Sequence, residues 1–379
     1  MSLERGMATL ALALLFVHAF EAHSQEPIGI LLAAGDIARC GDELEKAKAT
    51  AAILAGQVKD ADAKNMPVHV LALGDLAYDQ GTAAEFDNCF DTSWGALLNL
   101  QLAHSDVASL MLPVPGNHEY ESASAKPYFD YFDKKKNPWV FQQEKEQKKQ
   151  KTNKGYYALK FPDPAAGPWH LFGLNSMLGN QAMKEQTKWL DQELKASDPQ
   201  LTPSRPPCVL AFWHHPLFSS GTHGHGDCYK VKGKPCQKRG APLCRPDQEA
   251  PFCERTKKMR EAYRLLYSQG ASVILAGHDH DFEQFKRLNP DAKPDPAKGI
   301  RSFVVGTGGA ELYREPRDHR WNEEQHVQDV YRHSSYGVLR VELFSDRYRW
   351  SFLPIEGDPP IPLEVHGAVV DNDRCVPRS

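Results

Sequence analysis

Neither sign of charge dominates this chain: 45 lysines and arginines stand against 49 aspartates and glutamates, for a formal net charge of −4. A nucleic-acid partner calls for a basic footprint, so that class has no electrostatic basis here. Long hydrophobic runs are scarce as well. The apolar stretch from Met7 to Phe20 is too short to span a bilayer, and no later segment approaches the roughly 20 apolar residues that a crossing needs, so stable membrane insertion is not expected. Internal repeats are missing, and no linker divides the 379 residues, so one domain is expected. The eight cysteines include no closely spaced pair of the kind that marks a structural zinc site.

What is present suits a globular enzyme, with 41% hydrophobic and 10% aromatic residues. The N-terminus reads as an export signal over residues 1–24: Arg5 gives a charged start, Met7 to Phe20 the apolar stretch, and Ala22-His23-Ser24 a small-x-small cleavage site. A retained anchor is the alternative. Export to the periplasm or the extracellular space makes paired cysteines the first expectation. Cys228, Cys236, Cys244 and Cys253 crowd into a Gly/Pro/Lys-rich insertion at about 219–255 with little apolar content, and disulfides are expected to staple it. Structural zinc is the rival reading there. Cys40 and Cys89 are candidates to bridge neighbouring loops.

From residue 25 onward, strand and helix patterns alternate. Apolar runs at Ile28 to Ala33, Val68 to Leu73, Leu112 to Pro115, Val209 to Trp213 and Val273 to Ala276 read as buried strands. Helical spacing marks Leu44 to Val58, Ala83 to Phe90, Trp94 to His104, Ala182 to Leu194 and Thr256 to Ser268. Further strands are expected at Gly155 to Phe161 and Trp169 to Ser176. Four more, at Phe282 to Leu288, Ser302 to Thr307, Tyr336 to Phe344 and Tyr348 to Pro354, follow with no helix between them. That tail suggests antiparallel strands forming a second sheet. Residues 134–154 carry eight lysines and read as a solvated insertion, with a basic lip for an anionic substrate as the other possibility.

Five short motifs end predicted strands: Gly35-Asp36-Ile37-Ala38, Gly74-Asp75-Leu76-Ala77-Tyr78, Gly116-Asn117-His118-Glu119, His214-His215-Pro216 and Gly277-His278-Asp279-His280. Open α/β sheets place their sites at the carboxyl ends of strands. Carboxylate, carboxamide oxygen and imidazole are donors for hard and borderline metals. Asp36 suits one ion, Asn117 a second, and Asp75 has two oxygens with which to bridge them. His278 and His280, one residue apart, would approach two ions from different sides if that segment is extended, and His214 completes a set. His215 is expected to be buried for structure, since neighbours on a strand point oppositely.

These motifs closely resemble the calcineurin-like metallophosphoesterase superfamily, and within it the purple acid phosphatases and their secreted bacterial relatives. The resemblance covers roughly residues 30 to 350. It implies a four-layer α/β/β/α sandwich with two packed mixed sheets, and metal-ligand roles for Asp36, Asp75, Asn117, His214, His278 and His280. Many superfamily members carry a His where Ala38 stands, and Ala38 also departs from the Gly common in the purple acid branch. Tyr78, which that branch uses to bind ferric iron, can supply the missing donor as a phenolate. The implied count is Asp36, Asp75, Tyr78 and His280 for one ion, and Asp75, Asn117, His214 and His278 for the other. The cofactors implied are Fe(III) with Fe, Zn or Mn. His118 is the implied general acid or hydrogen-bond donor; His223, with His225 behind it, is the implied substrate-binding residue. The expected function is hydrolysis of small phosphate monoesters by a metal-activated hydroxide. Phosphodiester or nucleotide-pyrophosphate cleavage at the same centre is the alternative, and an inactive metal-stabilised binding protein is the different-class alternative.

Overall fold

A computed structural model describes residues 26–141, 154–163, 167–195, 208–219, 251–313, 331–358 and 373–376, apart from the side chains of 251–258 and 331–332. The strands up to the middle of the chain are β1 (Gly29–Ala34), β2 (Ala38–Arg39), β3 (Val68–Ala72), β4 (Ala77–Tyr78), β5 (Met111–Pro113), β6 (Tyr157–Phe161), β7 (Trp169–Gly173) and β8 (Cys208–Phe212). They are followed by β9 (Val273–Ala276), β10 (Phe282–Leu288), β11 (Ile300–Val305), β12 (Tyr331–His333), β13 (Gly337–Leu343), β14 (Arg347–Pro354) and β15 (Asp373–Arg374).

Two large sheets result, one in the order β15-β14-β13-β1-β3-β5 and the other β12-β10-β11-β9-β8-β7-β6. Both have parallel centres. In the first, β1, β3 and β5 run together, with Ile30 opposite Val68 and Val70 opposite Met111. In the second, β7, β8, β9 and β11 run together. The two-residue period of a strand sorts side chains into layers. On β8, Cys208, Leu210 and Phe212 face the space between the sheets, while Val209 and Ala211 face a separate outer core. Phe282 lies 4.7 Å from Phe352 and Phe303 5.2 Å from Trp350, ring centre to ring centre, so the sheets meet through aromatic contacts.

Helices cover the outer faces. Helix Leu44–Ala63 buries Ala47, Ala51, Leu54 and Val58, one stripe at helical spacing, against the first sheet. Helix Asn180–Lys195 buries Met183, Trp189, Leu190 and Leu194 over the second sheet, beside Met259, Ala262, Tyr263 and Leu266 of helix Pro251–Ser268. This is the α/β/β/α sandwich implied by the motifs.

The tail departs from expectation. Its strands are shared between the sheets: β10 and β11 join the second, whereas β13 returns antiparallel to β1 in the first. Moreover, β11 lies parallel to β9. An apolar strand can pair with either sheet, and its sequence does not name the neighbour. The stretch expected to be helical from Trp94 to His104 is only a 3-10 helix over Trp94–Asn99, and Ala83–Glu85 continues into a wider helical turn over Phe86–Phe90. Among the described residues, no helix is long and apolar enough to cross a membrane. The export signal, most of the lysine-rich insertion, Cys228, Cys236, Cys244 and the side chain of Cys253 lie outside the described residues.

Candidate metal centre

The motif loops leave the ends of β1, β3, β5, β8 and β9 on one rim, so residues from both sheets converge. Their backbones depart from ordinary strand geometry at once: φ is +59° at Asp36, +50° at Asp75 and +76° at His278. Such left-handed conformations cost non-glycine residues roughly 1–3 kcal/mol each and persist where the surroundings over-determine them. Here the surroundings do so through hydrogen bonds. Asp36 N–H donates to the Gly74 carbonyl (3.0 Å), His278 N–H to Asp36 Oδ2 (2.7 Å) and His118 N–H to Asp75 Oδ1 (2.8 Å). Segment 277–281 is therefore bent, so the extended case considered from the sequence does not apply, yet both its histidine rings reach the centre.

Tyr78 Oη lies 2.9 Å from Asp36 Oδ1 and 3.1 Å from His280 Nε2, which itself is 3.3 Å from Asp36 Oδ1. Across the centre, His214 Nε2 lies 3.1 Å from Asn117 Oδ1 and 3.2 Å from His278 Nδ1. Asp75 Oδ2 belongs to both groups, 3.3 Å from Tyr78 Oη and 3.1 Å from His214 Nε2. All seven residues expected as ligands are thus brought together, four on each side with Asp75 counted twice.

The donor set fits a pair of ions. Donors held at about 2.0–2.2 Å from one ion sit about 3 Å from each other. His214 Nδ1–H donates to the Leu73 carbonyl (2.9 Å) and His280 Nδ1–H to the Glu311 carbonyl (2.6 Å), which turns both Nε2 atoms inward. An inward Nε2 lone pair facing a carboxylate is repulsive unless a cation or a proton lies between. Without an ion the proton takes that place. Burial opposes charge on His214, but Asp75 outweighs it and lifts the imidazole to about 9. Burial likewise opposes charge on Asp75, yet His214 and His118 hold it well below the usual carboxylate range. Burial, then Asp36 and Asp75, push the Tyr78 phenol well above its usual value; a bound cation would act in the opposite direction.

His118 sits at the rim. Its Nδ1–H donates to the Asp79 carbonyl (2.5 Å), its ring lies 4.3 Å from that of Tyr78, and its Nε2 faces Asp75 Oδ2 at 3.8 Å. His215 is buried as expected, with Nδ1 2.9 Å from Ser176 Oγ. Its ring also lies 4.3 Å from that of His278, and it offers a nitrogen near the donors of His214 and His278. His223 and His225 lie outside the described residues.

Several contributors had little signal in sequence. Glu119, inside a motif but with no assigned role, is fully buried and accepts from four backbone N–H groups. Burial and Asp75 raise its carboxyl to about 7. Tyr313 stacks on His280 at 4.3 Å with a 4° angle between the rings. The Gly-Thr-Gly-Gly run at 306–309, ending a strand like the other motifs, was the available clue to a sixth loop: Gly308 N–H donates to the Gly35 carbonyl and Ala310 N–H to that of Asp36.

The fold is a two-sheet sandwich with carboxylate, imidazole and carboxamide donors collected on one rim, and the chain belongs to the calcineurin-like phosphoesterase family, which it matches over residues 30–282. Within that family it is purple acid phosphatase-like. It is 24% identical over 296 residues to purple acid phosphatase 18 of Arabidopsis thaliana, covering 77% of this chain and 54% of that protein. It is also 24% identical over 261 residues to purple acid phosphatase 15 of the same plant, covering 65% and 40%. The chain thus spans about half, or less, of the length of these curated relatives. A purple acid phosphatase from yellow lupin (Lupinus luteus) seeds shares the fold, with a TM-score of 0.55 at 14% identity over 89% of this chain and 53% of that one.

Proposed function

We propose that this chain is an exported two-metal phosphatase acting on small phosphate monoesters. Asp36, Asp75, Tyr78 and His280 hold one ion, and Asp75, Asn117, His214 and His278 hold the other. The observation that carries this reading is Asp75 Oδ2, common to two donor groups whose other members do not overlap. When bound, a pair of ions polarises the phosphoryl group and lowers the pKa of a coordinated water toward neutrality. His118 presents Nε2 to the leaving ester oxygen, as proton or hydrogen-bond donor, while the Asp79 carbonyl fixes its ring. His223 contacts the substrate phosphate. Tyr78 makes Fe(III) the ion of the first group, with Fe, Zn or Mn in the second.

Export rests on the N-terminal pattern of residues 1–24 and gains support from two disulfides, Cys40–Cys89 and Cys208–Cys375. The remaining chain, 25–379, forms one phosphoesterase domain. N-terminal sequencing of protein recovered from outside the cytoplasm tests the cleavage.

The decisive experiment assays metal-analysed protein on p-nitrophenyl phosphate beside the bis(p-nitrophenyl) ester. Two ions per chain and a preference for the monoester are expected. A preference for the diester overturns the substrate assignment. Zinc or manganese alone, with no visible tyrosinate-to-iron absorption, overturns the iron assignment only.

A further inference from the structure

We propose that Glu119 is a positioning residue for the metal centre, clasping together the two loops that carry Asp75 and Asn117; this rests on the two-metal reading above. Its carboxylate is completely buried. Oε2 accepts from the N–H groups of Asp75 (2.9 Å) and Gly116 (2.7 Å), and Oε1 from those of Leu76 (2.7 Å) and Ala77 (3.3 Å). The three consecutive N–H groups of Asp75, Leu76 and Ala77 converge on one side of the chain where it turns through the left-handed conformation of Asp75. Successive backbone N–H groups in such a turn form a concavity for an anion. In this protein the anion is a side chain of the neighbouring loop.

The clasp is reciprocal. Glu119 ties Gly116 to residues 75–77, and His118 N–H returns a hydrogen bond to Asp75 Oδ1 at 2.8 Å. With Oδ1 engaged, the rotation of the Asp75 carboxylate is fixed and Oδ2 is aimed at the point common to both donor groups. The position of Asn117, between Gly116 and His118, is set by the same bonds. A Gln at 119 keeps the shape but replaces one acceptor oxygen with an NH2 group, setting donor against donor. The carboxylate acts on the metal only through Asp75 and Asn117, so its loss should appear in metal affinity and not in stability alone.

The test compares wild type, Glu119→Gln and Glu119→Ala. It measures zinc or iron affinity by chelator competition, thermal midpoint, and kcat and KM on p-nitrophenyl phosphate. Loss of a partner that orients metal ligands typically costs 10–100-fold in affinity or activity. Glu119→Gln should therefore bind metal about 10–100-fold more weakly and lose a similar factor in kcat, with KM changing less than about threefold. Formate, a carboxylate small enough for the vacated space, should restore metal affinity to Glu119→Ala. If Glu119→Ala does not fold, the near-isosteric Glu119→Gln decides the matter. Wild-type metal affinity in Glu119→Gln overturns the assignment even if its thermal midpoint falls, and so does a loss in folded Glu119→Ala that formate leaves unrelieved. A wild-type protein that binds no ion pair overturns the two-metal reading as well.

Discussion

The imidazole of His118 is held through Nδ1 to the Asp79 carbonyl, leaving Nε2 turned toward the Asp75 carboxylate and partly open to solvent. None of the donor–donor contacts of about 3 Å within the two metal groups involves His118. Replacing it with Ala should accordingly leave metal content intact while lowering kcat by about 10²–10³-fold, within the range of general acid–base contributions. Elemental analysis beside steady-state kinetics checks this, and unchanged kcat would remove His118 from the mechanism. A second histidine makes a prediction about stability. His69, on β3, packs 5.3 Å from the ring of Phe161 and 6.1 Å from that of Trp139. Burial lowers its imidazole from 6.5 to about 4, against a smaller opposing effect of the Leu110 carbonyl. Between those values the unfolded chain binds more protons, so stability rises with pH there and this contribution is lost as pH falls from 6.5 toward 4. The His69→Phe variant should show a smaller drop in urea midpoint between pH 7 and pH 4.5 than wild type; equal drops would mean that His69 is not kept neutral by the fold.

At the scale of elements, the glycines explain why strand-end loops can crowd so many donors together. A Cβ at Gly116 would lie 2.2 Å from Asp75 Oδ1, and one at Gly277 would lie 2.6 Å from Asp36 Oδ2. Neither carboxylate can withdraw without abandoning its hydrogen bonds to His118 N–H and His278 N–H. The Gly277→Ala substitution should therefore displace Asp36 and weaken metal binding, with a stability cost of about 1–3 kcal/mol from overpacking. Chelator competition and a denaturant titration measure the two effects, and tight metal binding in the variant would refute the close approach. Such loops were legible because an aliphatic run ending in Gly and a donor is a local pattern. The partners of those loops were not. Glu311 reaches His280, and Leu73 reaches His214, through backbone carbonyls, which every residue possesses.

Across the whole molecule, the Cys208–Cys375 disulfide joins the start of β8 in the second sheet to the segment just after β15 in the first. Nearby, Asp373 pairs with Arg301 of β11 and accepts from the Tyr348 hydroxyl of β14 at 2.9 Å, a second tie between the sheets. This end of the sandwich is opposite the metal rim, since Cys208 opens β8 and His214 follows its far end. Replacing both cysteines with Ala should lower unfolding free energy by about 2–5 kcal/mol while leaving kcat and metal content unchanged. Thermal or urea unfolding with parallel assays checks the separation, and a matching loss of activity would show that the two poles are coupled.

The sequence alone determined the donor types, their positions at strand ends and the alternation of strand and helix, because each is written in residues near one another along the chain. It marked Cys40 and Cys89 as candidates to bridge neighbouring loops, and the structure pairs them with each other across 49 residues. Only the tertiary structure decided that β13 pairs with β1, that Cys208 meets Cys375 across 167 residues, and that Glu119 fills the concavity beside Asp75. Contacts of that kind depend on which surfaces the two sheets bring together, and residues distant in sequence carry no local mark of the neighbour they will meet.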